Sequence, residues 1–355
     1  MTQILGPTEA DFGVVIAAKP QHLHWVRGAC ASVRYFLDDT PICVLLDGDA
    51  DTTDIRTGSD ARVIRPAEVE HRELRELSFG SQLTKLTALW LSPFETYLMI
   101  DADAIVWGDM RSHADFDRFD FIVDSPIDDL DIARKYVMDA KAVSRHFPDF
   151  DAGRHVSDYV NVGAYFARRG MLELDEYLEL VRLMQTAPGM FYADQGLLNF
   201  MVFRAADEGR LRLNQRELQV TTGDTMREEV VRRFAFTDSQ PRVVGDPVVL
   251  HWVGTPKPRV RERGRDYFAP MTFFRREFRR ATRGGGGSSA TDNLWLRFED
   301  VMCADYRGSN LRGRLGRLRR RAHKRYSRAR VAVRARTPDW VMATVRRRSR
   351  RAGRE

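Results

Sequence analysis

Cysteine is scarce in this chain, which has only Cys30, Cys43 and Cys303 among its 355 residues. The number is odd and no C-x-x-C spacing occurs, which argues against both a disulfide framework and a zinc site. We therefore expect these thiols to be reduced and buried.

Long apolar runs are also missing. No uninterrupted stretch approaches the roughly 18 to 20 apolar residues that a membrane-spanning helix needs. Residues 1–11 contain Glu9 and Asp11 and lack a basic start followed by an apolar segment, so no secretory signal is expected. These absences favour a cytoplasmic protein.

Acidic residues are scarce at one end of the chain. The last 52 residues contain 19 Lys and Arg against Asp305, Asp339 and Glu355, a net charge of +16 with His neutral. The preceding 303 residues hold 38 basic and 47 acidic side chains, a net charge of −9. The tail favours peripheral contact with an anionic membrane, whereas the acidic body and the few aromatic residues of the tail argue against specific nucleic-acid binding.

Short apolar segments alternate with segments of helical spacing along the body of the chain. The strand-like segments are residues 12–17, 42–46, 62–64, 97–100, 119–123, 160–167 and 248–252. The helix-like segments are residues 22–36, 82–91, 172–184 and 194–203. This alternation predicts an α/β fold with a mostly parallel central sheet.

The composition also suggests where the domain ends. Residues 284–289 read Gly-Gly-Gly-Gly-Ser-Ser, which is typical of a flexible linker. We expect a domain over residues 1–283, a linker over 284–291, and a helical, Arg-rich tail over 292–355 that is partly disordered. Within the tail, residues 293–304 are expected to pack on the body through Leu294, Leu296, Phe298 and Val301.

Two carboxylates, Asp101 and Asp103, follow the apolar run 97–100. Alternate side chains of a strand project from the same face, so both carboxylates are expected to converge on one ligand. Hard oxygen ligands suit Mg²⁺ or Mn²⁺, and ligands of parallel sheets bind at the carboxyl ends of the strands. The pattern favours a divalent-cation site, with two solvated aspartates as the structural alternative.

Four further elements accompany the two aspartates. In chain order they are Thr84-Lys85-Leu86, Asn161-Val162-Gly163, Asp194-Gln195-Gly196-Leu197-Leu198-Asn199 and His251-Trp252-Val253-Gly254-Thr255-Pro256-Lys257-Pro258. A lysine binds phosphate as a point charge, an amide donates to and accepts from hydroxyls, and neutral imidazole is a metal ligand. Each element also has a structural alternative, such as a surface lysine, a helix N-cap or a buried histidine.

Together, and in this order, the five elements resemble the retaining glycosyltransferases of family 8, the group of glycogenin and bacterial lipopolysaccharide galactosyltransferases. The resemblance covers roughly residues 12–258 and implies a fold of the GT-A type. It also implies a hexosyltransferase that moves a sugar from a nucleotide-diphospho-sugar, expected to be a UDP-sugar, to a hydroxyl acceptor with retention. Synthesis of a bacterial-type surface glycan or glycolipid would be its setting.

The resemblance assigns a role to each candidate residue. Asp101, Asp103 and His251 would hold Mn²⁺ or Mg²⁺. The donor would also contact Lys85, Asp124, Gly254 and Lys257. Residues that bind the donor sugar and border the reacting carbon would be Asn161, Asp194 and Gln195.

One departure from the family concerns the nucleotide base. Family members often carry polar and aromatic residues after the first strand that grip uracil, whereas this chain reads Ala17-Ala18-Lys19-Pro20-Gln21. The sequence therefore leaves the identity of the nucleotide base open. Two alternatives to the transferase remain: a haloacid-dehalogenase-like phosphatase that uses the two aspartates, and a non-enzymatic binder of anionic surfaces or nucleic acid that uses the tail.

Overall fold

The computed structural model of the chain describes residues 7–127, 129–222, 225–253, 267–283 and 289–306. Its contacts group Met1–Cys303 as one compact unit. Residues 289–303 group with this unit, and the expected bounds 1–283, 284–291 and 292–355 stay a prediction. The Gly run at 284–287 and the tail beyond Tyr306 lie outside the described residues, so their expected flexibility stays a prediction.

The element order alternates strands and helices, as expected. The strands are β1 (Ala10–Ala18), β2 (Ile42–Leu46), β3 (Ala61–Ile64), β4 (Phe94–Asp101), β5 (Ala104–Trp107), β6 (Phe121–Val123), β7 (Ala164–Arg168), β8 (Leu213–Gln215), β9 (Gln219–Thr221), β10 (Phe236–Thr237), β11 (Gln240–Pro241) and β12 (Val248–His251). The α-helices are α1 (Leu23–Phe36), α2 (Thr53–Ser59), α3 (Arg72–Ser78), α4 (Ala88–Leu91), α5 (Leu130–Tyr136), α6 (Ala140–His146), α7 (Leu174–Thr186), α8 (Ala193–Asp207), α9 (Arg227–Arg233), α10 (Ala269–Arg283) and α11 (Ser289–Tyr306).

The central sheet has the strand order β3-β2-β1-β4-β7-β6-β8. The β3-β2, β2-β1, β1-β4 and β6-β8 pairs are parallel, and only β7 runs against its two neighbours. Both faces of the sheet are covered: Val15 of β1 belongs to one apolar cluster, whereas Val14 and Ile16 belong to another. This alternation is typical of a strand that is buried on both sides. The expected α/β class with a mostly parallel sheet is confirmed.

A smaller sheet, of order β5-β12-β9, joins the carboxyl edge of the central one. Strand β5 follows β4 after two residues, and β12 runs antiparallel to β5 with His251 opposite Ala104. On its other side β12 runs parallel to β9, with His251 opposite Thr221. This pairing carries the end of β12 back to the end of β4, although the two are about 150 residues apart in sequence.

The expected helix over residues 82–91 takes a tighter form at its start. Residues Leu83–Thr87 form a 3-10 helix, and only Ala88–Leu91 are α-helical. Hydroxyls compete for backbone carbonyls here, since Thr84 Oγ1 donates to Ser78 O at 3.3 Å and Thr87 Oγ1 donates to Thr84 O at 2.7 Å. In this turn Lys85 is buried rather than exposed.

The C-terminal helices α10 and α11 are joined by charge more than by apolar contact. Leu296 is buried as expected, but Leu294 and Phe298 are exposed, so the expected apolar packing through them is wrong. The buried Arg275 guanidinium instead donates to Glu299 Oε2 at 2.6 Å, and Arg27 of α1 donates to Glu299 Oε1 at 2.5 Å. Helical spacing cannot distinguish an apolar face from one in which charged partners are buried in pairs.

Replacing Glu299 by alanine should lower the free energy of unfolding by about 3 kcal/mol, because two largely buried guanidinium groups lose a shared carboxylate. Urea denaturation of the full chain measures this change. The matched control is Glu76→Ala, which removes a half-exposed carboxylate paired with Arg72 and should leave the midpoint unchanged. Equal midpoints for the two variants would contradict a stabilising role of the network.

Among the helices that the structure describes, none is both long enough and apolar enough to cross a membrane. Cys30 of α1 and Cys43 of β2 are buried, and burial raises the pKa of Cys30 to about 12. Both thiols therefore stay protonated at neutral pH.

Candidate functional site

A turn brings the carboxylates of Asp101 and Asp103 together. Alternation of side chains along one strand, which the sequence predicted, is not the cause. Asp101 is the last residue of β4, whereas Asp103 lies in the two-residue turn that leads into β5. The turn is fixed from both sides, since Asp101 N donates to Gly163 O and Trp252 N donates to Asp103 O, each at 3.0 Å. The expected convergence is present, but its cause is this turn and the pairing of β5 with β12.

His251, the last residue of β12, faces both carboxylates. Its Nε2 lies 3.6 Å from Asp101 Oδ2 and 3.4 Å from Asp103 Oδ1. The other ring nitrogen, Nδ1, lies 2.9 Å from Gln219 Oε1 on β9. Gln219 Nε2 donates to Asn161 O at 2.9 Å, which orients the amide so that its oxygen accepts from Nδ1–H. Nε2 therefore carries the lone pair when the ring is neutral, and it points towards the carboxylates.

Burial and charge act against each other in this cluster. Burial raises the pKa of Asp101, although Lys85 and His251 lower it. For Asp103 burial acts to raise the pKa, but the hydrogen bond and the charge of His251, together with His22, outweigh burial, so the pKa is lowered. For His251 the lowering by burial is outweighed by Asp103 and Asp101, so its pKa is raised. The carboxylates thus favour a positive charge at this position.

Gly163 makes room for the imidazole. A Cβ atom on this residue would lie 2.2 Å from His251 Cε1, 2.3 Å from His251 Nδ1 and 2.9 Å from Gln219 Oε1. No side chain fits at such distances, so the close approach of backbone to ring requires glycine. The Asn161-Val162-Gly163 element is therefore a support for the histidine.

Gln219 is the residue that orients His251, and sequence reasoning missed it. Replacing Gln219 by leucine should weaken divalent-cation binding roughly 10-fold to 100-fold, because the Nδ1–H loses its acceptor and the ring loses its orientation. Titration of the full chain with Mn²⁺, followed by calorimetry, measures the change. Gln240→Leu, on the exposed strand β11, is the control and should bind as the unaltered protein does. Equal affinities for both variants would show that the amide has no part in the site.

Lys85 lies behind the aspartates as a buried counter-charge. Its Nζ lies 3.1 Å from both carboxylate oxygens of Asp101, 2.7 Å from Asp194 Oδ2 and 3.3 Å from Val162 O. Burial opposes its charge, but Asp101 and Asp194 outweigh burial and raise its pKa. One ammonium is thus shared by Asp101 and Asp194, and Asp103 adds a further carboxylate beside Asp101. An excess of carboxylates over ammonium groups favours a bound cation.

The start of α8 brings Asp194 to this cluster. Ala193 has φ +48°, a left-handed conformation that costs energy in a residue with a Cβ. Asp194 follows in the first turn and pairs with Lys85, so the N-cap alternative does not apply. Asn199 of the same helix exchanges two hydrogen bonds with the backbone of Val160, at 2.9 and 3.0 Å. This amide ties α8 to the segment that carries Asn161.

The other predicted site residues are placed as follows. Asn161 accepts from Gly163 N at 2.9 Å and contacts Gln219, while Gln195 Nε2 donates to Tyr136 O at 3.3 Å. Asp124 is buried, where burial raises its pKa to about 6, and its Oδ1 accepts from the backbone N–H groups of Leu218 and Gln219 at 2.9 and 3.3 Å. Asp124 therefore supports the strand that carries Gln219. Gly254 and Lys257 lie outside the described residues.

A cavity of about 240 Å³ opens beside the cluster. Its lining includes Asp101, Asp103, Asp194 and Lys85, and also Asp47, the end of β1 and the loop that follows β1. Asp47, Lys19 and His22 were not predicted as site residues. Asp47 had a usable signal, since it follows the fully buried strand β2 as Asp101 follows the apolar part of β4.

The ligand set fits a divalent cation. Within the described part of the chain, Asp101, Asp103 and His251 each offer a ligand atom, and these atoms lie within 4.8 Å of one another. Two carboxylate oxygens and one imidazole nitrogen suit Mn²⁺ or Mg²⁺ better than a soft metal. The orienting hydrogen bond from Gln219 completes the pattern that metal-binding histidines usually show.

Solved structures resemble this architecture. The structure of an active-site mutant of LgtC aligns with a TM-score of 0.50 at 17% identity, over 79% of this chain and 99% of that one. The chain has the GT-A fold. The complex of galactosyltransferase LgtC with donor and acceptor sugar analogs aligns at 15% identity, over 78% of this chain and 97% of that one, with a TM-score of 0.47.

A further structure, glucosyl-3-phosphoglycerate synthase from Mycobacterium tuberculosis with Mn²⁺, UDP and phosphoglyceric acid, aligns less well. The identity is 19%, the coverage is 60% of this chain and 69% of that one, and the TM-score is 0.37. No family model and no curated protein sequence matches the chain. At 17% identity the likeness to the LgtC mutant structure establishes the GT-A fold alone.

Proposed function

We propose that this chain is a metal-dependent glycosyltransferase that moves a hexose from a nucleotide-diphospho-sugar to a hydroxyl group. The observation that supports this most is the cluster of Asp101, Asp103 and His251 at the carboxyl edge of a GT-A sheet, with Lys85 behind it. That edge is where open α/β sheets bind nucleotides.

Each charged group of the site would have a separate role in the reaction. A bound Mn²⁺ or Mg²⁺ would stabilise the negative charge that develops on the departing diphosphate. Lys85 pairs with Asp101 and Asp194 and holds the Asp194 carboxylate against the cavity. We assign Asp194, Gln195 and Asn161 to the donor sugar, and Gly254 and Lys257 to the diphosphate.

Finer features of the proposal come from the family 8 resemblance. We propose a UDP-sugar donor, and attack by the acceptor hydroxyl on the face that the diphosphate leaves, which retains the anomeric configuration. A glycan, a glycolipid or a protein would supply the hydroxyl. A cytoplasmic enzyme with its basic tail on an anionic membrane suits a lipid-linked acceptor.

The phosphatase alternative is not favoured. A phosphatase that uses the two aspartates needs no imidazole beside them. That alternative therefore gives no role to His251, which the pairing of β12 with β5 brings to the aspartates. A function of the tail alone would give no role to the buried cluster of Asp101, Asp103, His251 and Lys85. Burying charged side chains is costly, so a cluster without a function would not be expected.

The test is a panel of nucleotide sugars in the presence of Mn²⁺, with release of nucleoside diphosphate as the readout. We expect one donor to turn over, and EDTA or the Asp103→Ala substitution to abolish its turnover. Turnover that survives both treatments, or no turnover and no Mn²⁺-dependent nucleotide binding, would refute the transferase proposal.

A further inference from the structure

A groove without an assigned role runs from the start of α8 along α6. Two adjoining cavities form it, an inner one of about 530 Å³ at α8 and an outer one of about 600 Å³. Ala140, Lys141 and Gly153 line both cavities, so one extended ligand can occupy the two together. Among the described residues, no metal ligand and no residue assigned to the donor lines either cavity. The groove is therefore distinct from the site of the metal and the donor.

The inner cavity begins next to the residues assigned to the donor sugar. Tyr192 lines it, and Asp194, two residues further along the chain, lines the cavity beside the metal ligands. Hydrogen bonds fix the groove to this part of α8, since Tyr192 N donates to Val137 O at 2.8 Å and Gln195 Nε2 donates to Tyr136 O at 3.3 Å. A molecule bound in the inner cavity therefore lies beside the position assigned to the donor sugar.

One wall of the inner cavity is aromatic. Tyr192 is 52% exposed. Its ring makes an edge-on contact with Tyr136, with 5.3 Å between the ring centroids and 83° between the planes. Met138 and Phe191 line the same cavity and are joined by a β-bridge. An aromatic ring that is supported by a neighbour and half open to solvent can pack against the apolar face of a sugar ring, while its hydroxyl bonds to the hydroxyls of that sugar.

The outer cavity adds two cations that lack a carboxylate partner. Lys141 and Arg145 are exposed and lie four residues apart, hence on one face of α6. Within the described part of the chain neither side chain forms an ion pair, and Arg145 Nε donates only to Lys141 O, at 3.2 Å. The carboxylates of Asp139 and Asp151 each accept from two backbone N–H groups instead. Like charges at this spacing repel each other, and a bound anion removes that repulsion.

We propose that this groove binds the acceptor, and that the acceptor is a sugar with a negatively charged substituent, a phosphate or a carboxylate. The inference rests on the proposed function, because that function places the donor sugar at Asp194. The acceptor ring packs on Tyr192, and Lys141 and Arg145 bind its anionic group. In the reaction the acceptor oxygen bonds to the anomeric carbon, the bond from that carbon to the diphosphate breaks, and the diphosphate leaves with the electron pair and takes up the hydroxyl proton.

The charge of the groove discriminates among acceptors. A neutral sugar leaves Lys141 and Arg145 side by side without an anion, whereas the oxygens of a phosphate or a carboxylate accept from both. Because both cations are exposed, we expect a preference of roughly tenfold, and salt should weaken it. The aromatic wall acts on the sugar ring itself, so its contribution does not depend on charge or on salt.

Sugar transfer by the full chain to three matched sets of acceptors tests this proposal. The sets are the methyl glycosides of glucose, galactose and mannose, their 6-phosphates and their 6-carboxylates, each with the nucleotide sugar that turns over. The unaltered protein should use at least one anionic acceptor with a KM roughly tenfold below that of its neutral parent. The Lys141→Gln, Arg145→Gln double variant should lose this preference. Tyr192→Ala should raise the KM of anionic and neutral acceptors alike, and Tyr192→Phe should not.

Arg118→Gln is the matched control, because Arg118 precedes β6, is 74% exposed and lies outside the groove, so the preference should persist. Preference for the phosphates or for the carboxylates supports the inference and identifies the anionic group. A preferred neutral acceptor, or a double variant that keeps the preference for anionic ones, overturns the inference. Donor hydrolysis without transfer to any set overturns the inference and leaves the proposed function intact. No release of nucleoside diphosphate from any donor overturns both.

Discussion

Replacing Asp103 by asparagine is expected to lower kcat for sugar transfer roughly a thousandfold. The amide keeps the shape of the side chain but removes one of the two anionic oxygen ligands, and hard dications bind neutral oxygens less tightly. A cation on the departing diphosphate is worth several kcal/mol of transition-state stabilisation, and each 1.4 kcal/mol is about tenfold in rate. Release of nucleoside diphosphate at saturating donor and Mn²⁺ measures the effect.

The control for this substitution is Asp109→Asn. Asp109 lies six residues further along the chain, is half-exposed and pairs with Arg111, so its replacement should leave turnover unchanged. The affinity for Mn²⁺ should fall in the Asp103 variant and not in the Asp109 variant. An Asp103 variant that binds less Mn²⁺ yet turns over normally would separate the metal from the reaction and contradict the proposed mechanism.

The strands that build the site were predictable because buried strands are local features of a sequence. Segment 42–46 is apolar throughout and is found as β2 with the same bounds, and segment 97–100 lies inside β4. The order of the five motifs predicted that the two aspartates, Lys85 and His251 would meet, and the structure brings them together. The five motifs contain only residue types and their order along the chain, and this information was enough to predict which side chains meet.

The remainder of the site depends on contacts between distant segments. Gln219 orients His251 because β9 and β12 pair in parallel, and the short strand β9 gives no strong periodic signal. Asp47 and Asp101 share a cavity only because β2 and β4 flank β1. Asp103 was expected in a strand, but the reversal into β5 places it in a turn. Pairing between non-adjacent strands is decided by the whole fold, so a single sequence does not specify it.

The second large effect is expected at Gly163, whose backbone lies against the His251 ring. Replacing Gly163 by alanine should reduce Mn²⁺ affinity at least tenfold and turnover roughly 100-fold, because the added Cβ would lie 2.2 Å from the imidazole. The ring is 4% exposed and hydrogen-bonded to Gln219, so it cannot move aside without leaving the aspartates. Calorimetric titration with Mn²⁺ and a turnover assay measure both quantities.

A loss in the Gly163 variant must be separated from general misfolding, and two comparisons do so. Gly153→Ala adds the same methyl group on an exposed turn, where the nearest atom is a side-chain oxygen at 3.2 Å, and should bind Mn²⁺ normally. Combining Gly163→Ala with His251→Ala removes the two shortest contacts, those with the imidazole, and leaves Gln219 Oε1 at 2.9 Å, at the end of a side chain that can move. Thermal stability should therefore recover in part while Mn²⁺ affinity stays low. If the double variant is no more stable than Gly163→Ala alone, the methyl group disturbs the β4-β7 backbone and not the histidine.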